Sequence, residues 1–425
     1  MTEKELKELH EIYITHPTIT TNSKKVNEGD IFWALKGEKF NGNDFAEEAL
    51  EKGAHIAVVD NQKLKNKKFF HVDDTLKALQ EFGHFHKNYV GMPTIGITGS
   101  NGKTTTKELV NAVLSQKYNT AATYKNLNNH IGVPLTLLEI PEETDVAIIE
   151  MGTNHFGEID TLAKIADPDF GIITGIGKAH LEAFKDLNGV LKEKSDLFKH
   201  LKNKGGMAFV NYDDNLVLKA AEGLERFGFS YQNNPKADIQ LKDISDKPAL
   251  KIRLNNTDIQ TKLTGKYNLS NLGYAIAAGK YFGLSDEDIK KALENYVPKD
   301  MRSQIIEQGN NLIILDAYNA NPTSMTAAIE NLSQMTGNHK VAILGDMFEL
   351  GEKALQEHQA IVDLAKAKSI DTYLIGENFA KTNTDFPKFK STNDFIKSGT
   401  FNQFNNSNIL IKGSRGMALE KILVQ

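Results

Sequence analysis

The sequence predicts an α/β protein of three domains, and three observations carry that prediction. Short apolar runs alternate with helical stretches through the middle and the last third of the chain, the rhythm of parallel sheets covered on both faces. A glycine turn inside Thr94-Ile-Gly-Ile-Thr-Gly-Ser-Asn-Gly-Lys-Thr-Thr-Thr106 joins one β-branched run to the head of a helix. Gly91-Met-Pro93 and Pro298 punctuate the chain and set boundaries at 1–92, 93–299 and 300–425. A length of 425 residues fits that number, with about 150 residues per domain as a guide.

The first domain reads as a small α/β unit. Helices are expected at 6–14, 45–52 and 75–87, and strands at 30–35 and 55–59. The middle domain has strand candidates at 94–98, 146–150, 171–174 and 207–211. A hairpin follows, 249–254 and 257–263 about the polar pair Asn255-Asn256. An apolar helix is expected at 269–282, and Ser285-Asp-Glu-Asp288 reads as a capping box for the next. In the last domain, strands at 312–316, 341–344, 372–375 and 409–412 alternate with helices starting near Pro322, Leu355 and Asn393. That pattern predicts a Rossmann-like, doubly wound sheet with ligands at the carboxyl ends of its strands.

Bulk properties narrow the function. A net charge of −5 gives no reason to expect nucleic acid as a partner. With no cysteine there is neither a disulfide nor a thiolate metal site. The opening Met1-Thr-Glu-Lys-Glu-Leu-Lys7 has no apolar signal core. No apolar run approaches the ~18 residues of a membrane span. The expectation is a cytoplasmic protein without a membrane partner.

The glycine turn is the strongest chemical signal. Gly99 and Gly102 let backbone N–H groups of Ser100, Asn101 and their neighbours close on phosphate oxygens. The helix N-terminus adds partial positive charge. Lys103 suits the terminal phosphates, and the hydroxyls of Thr104 and Thr105 suit phosphate or Mg²⁺. The usual G-x-x-x-x-G-K-[ST] pattern needs glycine where Ile97 stands, so the loop is the variant G-x-x-G-K-T-T. A nucleoside triphosphate is the expected ligand.

Other candidates sit at predicted strand ends. Glu150 closes a buried run and suits Mg²⁺, or caps the loop after it. His180 follows strand 171–174 as a ligand or a surface residue. Lys192-Glu-Lys194 reads from spacing alone as a solvated helix face. Asn128 and Asn129 form a dense polar turn that serves a ligand or only the turn. Asn268 and Asn271 are either ligands or an N-cap. Asp316-Ala-Tyr318-Asn319-Ala-Asn321-Pro322, Asp346-Met-Phe-Glu349 and Lys412-Gly-Ser414-Arg415 all fall on the expected carboxyl edge of the last sheet. Acidic groups there suit a ribose or an amine, and the basic group a carboxylate or phosphate.

As an ordered set these motifs resemble the Mur ligase family, in its MurF type. The family-wide signals are Thr98-Gly-Ser-Asn-Gly-Lys-Thr-Thr105, Glu150-Met-Gly, His180, Lys194-Ser-Asp-Leu-Phe198 and Gly265-Lys-Tyr-Asn268-Leu-Ser-Asn271. The type-specific signals are Asn128-Asn-His-Ile-Gly-Val-Pro134, 316–322, Gly345-Asp-Met-Phe-Glu-Leu-Gly351 and Lys412-Gly-Ser-Arg415. The stretch from Asn22-Ser23 to Gly37 resembles the family's UDP-binding domain. The turn departs from the family in ending on His130 where an acidic residue is common, and Leu315 precedes Asp316 where a second Asp is common.

The resemblance implies ATP-dependent ligation of D-alanyl-D-alanine to a UDP-N-acetylmuramoyl-tripeptide through an acyl phosphate; separately, a monomer is expected. It implies Lys103, His180 and Lys194 as catalytic, Lys194 being carbamylated, and two Mg²⁺ ions held by Thr104, Glu150, His180 and Lys194. It implies ATP contacts from Gly99 to Thr105, Asn268, Asn271, Arg302 and Asp316. Substrate contacts follow from Ser23, Asn128, Asn129, Tyr318, Asn319, Asn321, Asp346, Glu349, Ser414 and Arg415.

Overall fold

The run Val146-Ala-Ile-Ile-Glu150 is a strand buried along its whole length, as its unbroken apolar stretch requires. In the computed structural model, which describes residues 1–246, 248–337 and 339–424, strands and helices occupy nearly every segment expected of them. The chain forms two units: 1–96 with 118–153 and 158–170, and 97–117 with 154–157 and 171–425.

In the first unit, strands Ile19–Thr20, Ile31–Trp33, Ile56–Val59 and Phe69–His71 form a parallel sheet in that order. The first and the last of these are not foreseen, because two residues with no buried side chain and three residues with one carry no period. Helix Glu3–Thr15 starts on a capping box between Thr2 and Glu5. Helix Thr75–Val90 starts on Asp74 and ends on Gly91 at φ +75, so the glycine acts as a left-handed helix stop. Leu9, Tyr13, Trp33, Val58, Phe82 and Leu138 share one apolar core. Strand Thr120–Ala122 lies parallel to Val146–Glu150.

In the second unit, Met207–Asn211 pairs in parallel with Glu225–Ser230, and that strand with Ile239–Asp243. The expected hairpin, Ala249–Leu254 with Thr257–Thr264, adds antiparallel to Ile239–Asp243. Ser285 caps helix Asp286–Asn295 through the Asp288 N–H, but its hydroxyl also donates to the Asp288 carboxylate, so the reciprocal bond to the cap backbone is replaced by a side-chain one. A six-stranded sheet follows in the order Gln304–Gln308, Asn311–Asp316, Ser407–Lys412, His339–Gly345, Asp371–Ile375, Lys388–Phe389. The first pair is antiparallel and the rest are parallel. Alternate residues feed opposite faces: Ile314, Leu344 and Leu410 enter one core, and Ile313, Ile343, Ile409 and Ile411 the other. Both faces are therefore covered, as a doubly wound sheet demands. Among the described residues no helix is long and apolar enough to cross a membrane.

Candidate active site

The phosphate loop is built by two left-handed glycines. Gly99 has φ +147, and a Cβ there would fall 2.0 Å from the Thr174 hydroxyl oxygen. Gly102, at φ +81, precedes helix Lys103–Leu114 and gives it no side-chain cap. The first N–H groups of that helix thus face no capping oxygen from the chain's own N-cap, the arrangement an anion exploits. The loop's outer wall is tied down: the Ser100 N–H donates to Gly175 O at 3.0 Å, and the Ser100 hydroxyl donates to Gly177 O and accepts from its N–H, both at 3.0 Å. Thr174 donates to Asn101 O at 2.5 Å. The Lys103 ammonium donates to Gly99 O at 2.9 Å, which folds it over its own loop. Thr104 is buried and Thr105 half-buried.

Asn268 and Asn271 lie on helix Asn268–Tyr281, whose N-cap Tyr267 makes no side-chain cap bond, so neither asparagine is the cap. They brace the loop instead. Thr106 donates to Asn271 Oδ1 at 3.0 Å, Asn271 donates to Asn268 Oδ1 at 2.7 Å, and Asn268 donates to Thr264 O at 2.7 Å. A Cβ on Gly102 would sit 2.4 Å from Asn271 Oδ1.

His180 follows strand Phe170–Ile173 in a left-handed conformation at the start of the short helix Leu181–Phe184. Its Nδ1 lies 2.5 Å from Oε2 of Glu349. The hydrogen bond from His180 lowers the Glu349 carboxyl below its usual range, with further pull from the charges of His155 and Lys103. Lys194 and Glu193 lie on helix Leu187–Lys204 and are fully buried, which corrects the solvated-face reading at those two positions, whereas Lys192 is exposed as expected. Glu193 accepts the Gly157 N–H at 2.7 Å. Nothing in the spacing marks this, because a charged stripe looks the same whether water or protein covers it.

In the first unit, Glu150 is 1 % exposed. Its N–H donates to the Thr123 hydroxyl and its Oε1 accepts from Asn128 at 2.8 Å. Its Oε2 is buried and has no hydrogen-bond partner among the described residues. A buried, half-satisfied carboxylate is costly and fits a cation ligand, so the donor set suits Mg²⁺. Among the described residues, no three His, Asp or Glu side chains are grouped as a metal cage. Asn129 serves its own turn, accepting from the N–H groups of Ile131 and Gly132. Ser23 opens a short 3-10 turn, and its carbonyl accepts from Lys52.

The last sheet brings Asp316, Gly345 and Lys412 to one edge through its parallel registers. Lys412, buried, donates to Asp316 Oδ2 at 2.5 Å and to Asn319 O at 3.2 Å. The Ser303 N–H donates to Asp316 Oδ1 at 3.3 Å. Arg302 stacks over the Tyr318 ring at 3.7 Å, and its Nε has no partner among the described residues. Asn321 caps helix Pro322–Gln334 and donates to Asn101 of the phosphate loop at 2.7 Å. Asp346 turns inward: its carboxylate accepts from the N–H groups of Asn378 and Phe379, both at 2.9 Å. The Ser414 hydroxyl accepts the Phe348 N–H, and Arg415 pairs with Glu420 at 3.0 Å. Sequence reasoning missed Thr174, Thr123 and the Asn101–Asn321 amide pair, which carry no motif of their own.

Comparison with known proteins matches this layout. Family models fit three stretches: the Mur ligase catalytic domain over residues 17–89, the Mur ligase middle domain over 97–279, and the Mur ligase glutamate ligase domain over 301–392. A UDP-N-acetylmuramoyl-tripeptide–D-alanyl-D-alanine ligase of Bacillus subtilis is 36% identical over 427 residues, covering 95% of this chain and 92% of the relative. One of Escherichia coli is 33% identical over 438 residues, covering 98% and 95%. The crystal structure of MurF from Acinetobacter baumannii superposes with a TM-score of 0.88 at 31% identity, covering 100% of this chain and 98% of that one. MurF ligase from Thermotoga maritima, solved in complex with ADP, superposes with a TM-score of 0.86 at 26% identity over the same shares. A buried β-branched strand, a two-glycine phosphate loop and a doubly wound last sheet, together with full-length relatives, establish that this chain belongs to the Mur ligase family.

Proposed function

We infer that the protein joins D-alanyl-D-alanine to UDP-N-acetylmuramoyl-tripeptide at the expense of ATP, a ligase step in peptidoglycan synthesis. The observation that carries this is the phosphate loop from Gly99 to Thr105, shaped by left-handed glycines, in a chain matched along nearly its whole length by relatives named for that reaction.

The tripeptide's terminal carboxylate oxygen attacks the γ-phosphorus of ATP, and ADP leaves. The dipeptide amine then attacks the acyl phosphate carbon. The tetrahedral intermediate loses the amine proton and expels phosphate. Such phosphoryl transfer depends mostly on positioning and charge neutralisation. Lys103 supplies a cation at the loop, and the uncapped N–H groups ahead of helix Lys103–Leu114 supply oriented dipoles. Arg302, anchored on Tyr318, offers phosphate a second cation, a guanidinium, and Asp316, held by Lys412, an acceptor for ribose. Asn268 and Asn271 act on ATP by holding the loop helix in place.

Each unit carries residues suited to Mg²⁺, two ions on the family's pattern: Glu150 in the first, and Thr104, His180 and carbamylated Lys194 in the second. Mg²⁺ would screen the phosphate charges as they approach the carboxylate. The boundaries 1–92, 93–299 and 300–425 are proposed as UDP-sugar, ATP and dipeptide domains, supported by the three family matches. Ser23, Asn128 and Asn129 are assigned to the UDP-tripeptide. Tyr318, Asn319, Asn321, Ser414 and Arg415 are assigned to the dipeptide. The inward carboxylate of Asp346 removes it from that set. A cytoplasmic monomer completes the proposal.

The test measures phosphate release with ATP and each acceptor, alone and together, and weighs the product by mass spectrometry. Release that needs both substrates, with an amide product of the summed mass less water, is expected. ATPase activity indifferent to both would sink the reading.

A further inference from the structure

Glu349, its side chain 54% exposed, is clasped to the more buried His180. The two residues come from different parts of the second unit: the loop after strand His339–Gly345 and the loop after strand Phe170–Ile173. Both have positive φ, +62 and +49. A left-handed conformation costs a non-glycine residue on the order of 1 kcal/mol and persists only where the surroundings impose it. Here the docking of the two loops imposes it. The Glu182 N–H donates to the Glu349 carbonyl at 3.2 Å. Gly351, itself at φ +52, packs against Glu182, and the Lys353 ammonium donates to Lys185 O. The Phe184 and His180 rings meet in a T-shaped arrangement, with centroids 6.1 Å apart.

A carboxylate on Nδ1 fixes which nitrogen of an imidazole carries the proton. It takes the Nδ1–H and leaves the lone pair on Nε2, the arrangement that readies a histidine to act as a ligand or acceptor. We propose that Glu349 is the positioning residue of His180, holding its ring and tautomer so that Nε2 is presented to the phosphoryl-transfer site. This rests on the ligase reading and moves Glu349 from the dipeptide pocket to the phosphate side. Because the clasp joins two loops far apart in sequence, His180 is set only while residues 346–353 are docked on residues 180–185.

The test compares the wild type with Glu349→Ala and Glu349→Gln, each first shown to melt cooperatively. Nitrogen NMR of ¹⁵N-histidine protein, with the His180 signal assigned by its loss in His180→Gln, reads the tautomer. The wild type should show protonated Nδ1 and bare Nε2. Glu349→Ala should mix the two tautomers, and Glu349→Gln, whose amide oxygen still accepts, should keep the wild-type pattern. Mn²⁺ binding followed by electron paramagnetic resonance, with a non-hydrolysable ATP analogue, should weaken about tenfold in Glu349→Ala. Its kcat should fall while KM for D-alanyl-D-alanine stays put. Unchanged His180 nitrogen signals in Glu349→Ala would overturn the proposal, as would a rise in dipeptide KM alone. Absence of any amide product from the wild type would overturn the ligase reading instead, and the nitrogen signals still decide the pair.

Discussion

Lys412 and Asp346, at the carboxyl edge of the last sheet, both spend their side chains on the protein itself. Lys412 is 1 % exposed and gives its ammonium to Asp316 and to a backbone carbonyl. Removing one member of a buried pair strands the other, at roughly 3–5 kcal/mol. Lys412→Met should therefore lose about 3 kcal/mol in urea unfolding. The double variant with Asp316→Asn should lose less than the sum of the single changes, since no charge is left alone; additivity would show that the pair is not coupled. Asp346 caps the short helix Glu377–Ala380 with both oxygens and lies 3.6 Å from the buried His358. Asp346→Ala should cost about 2 kcal/mol, for the lost cap and the exposed N–H groups, with the dipeptide KM unchanged. A dipeptide KM that rises with stability intact would return Asp346 to the substrate pocket. Strand ends were legible in the sequence because an apolar run ending in a polar turn marks a carboxyl edge. The direction of each side chain was not, because both faces of that edge accept a carboxylate.

At the scale of elements, the unbroken apolar runs were the legible ones, while Ile239–Asp243, which alternates buried and exposed residues, was not foreseen. Val146–Glu150 and Met207–Asn211 appear where their apolar runs put them, and helix Asn268–Tyr281 begins one residue early. Gln304–Gln308 escaped because it is an antiparallel edge strand with no buried residue and so no contrast between its faces. Helix Leu187–Lys204 was legible as a helix but not as a buried one at Glu193 and Lys194. The phosphate loop and its helix are the element on which most of the chemistry depends, and Gly102 is their hinge. Its φ of +81 resists any side chain, and a Cβ would also strike Asn271. Gly102→Ala should destabilise by at least about 1 kcal/mol from backbone strain alone. It should also weaken ADP binding, read by calorimetry, because the loop must open to relieve the contact. Combining it with Asn271→Ala should recover stability lost to the clash but not the strain. Full recovery would mean that φ at this residue is free to change.

For the whole molecule, acid sensitivity above the carboxylate range comes from histidines that burial keeps from taking up a proton, in both units. In the first, His10 Nε2 meets His86 Nδ1 at 3.0 Å, and His86 Nε2 meets Ile140 O at 3.1 Å. The carbonyl needs an N–H on His86 Nε2, so its Nδ1 accepts from His10. A proton added to His86 Nδ1 would set two N–H groups head to head. Burial pulls His10 from 6.5 down to about 4, with His86 adding to the effect. Burial also lowers His86, against the pull of Ile140 O and Glu142, and lowers His55, which stacks on His16. In the second unit, burial lowers His358 against the charges of Asp346 and Glu357, and its Nε2 accepts the Met347 N–H. A group whose folded pKa lies below its unfolded one stabilises the fold above the unfolded value. That contribution is lost as pH falls through the folded value. The histidine window thus opens at 6.5 and, for His10, closes near 4. Carboxylates act lower: Asp258, held down to about 2 mainly by its hydrogen bond from Arg253, begins to count only below 3.8. Urea midpoints should therefore fall steadily from pH 7 to pH 4.5, before most carboxylates titrate. At His10 the loss is bounded by about 3 kcal/mol, since each tenfold change in proton affinity is worth roughly 1.4 kcal/mol, and solvent screening brings it below that bound. His10→Phe, which keeps the aromatic contacts with Tyr13 and Phe82, should flatten the slope in this window. A wild-type midpoint constant from pH 7 to pH 4.5 would mean that these rings take up protons without opposing the fold.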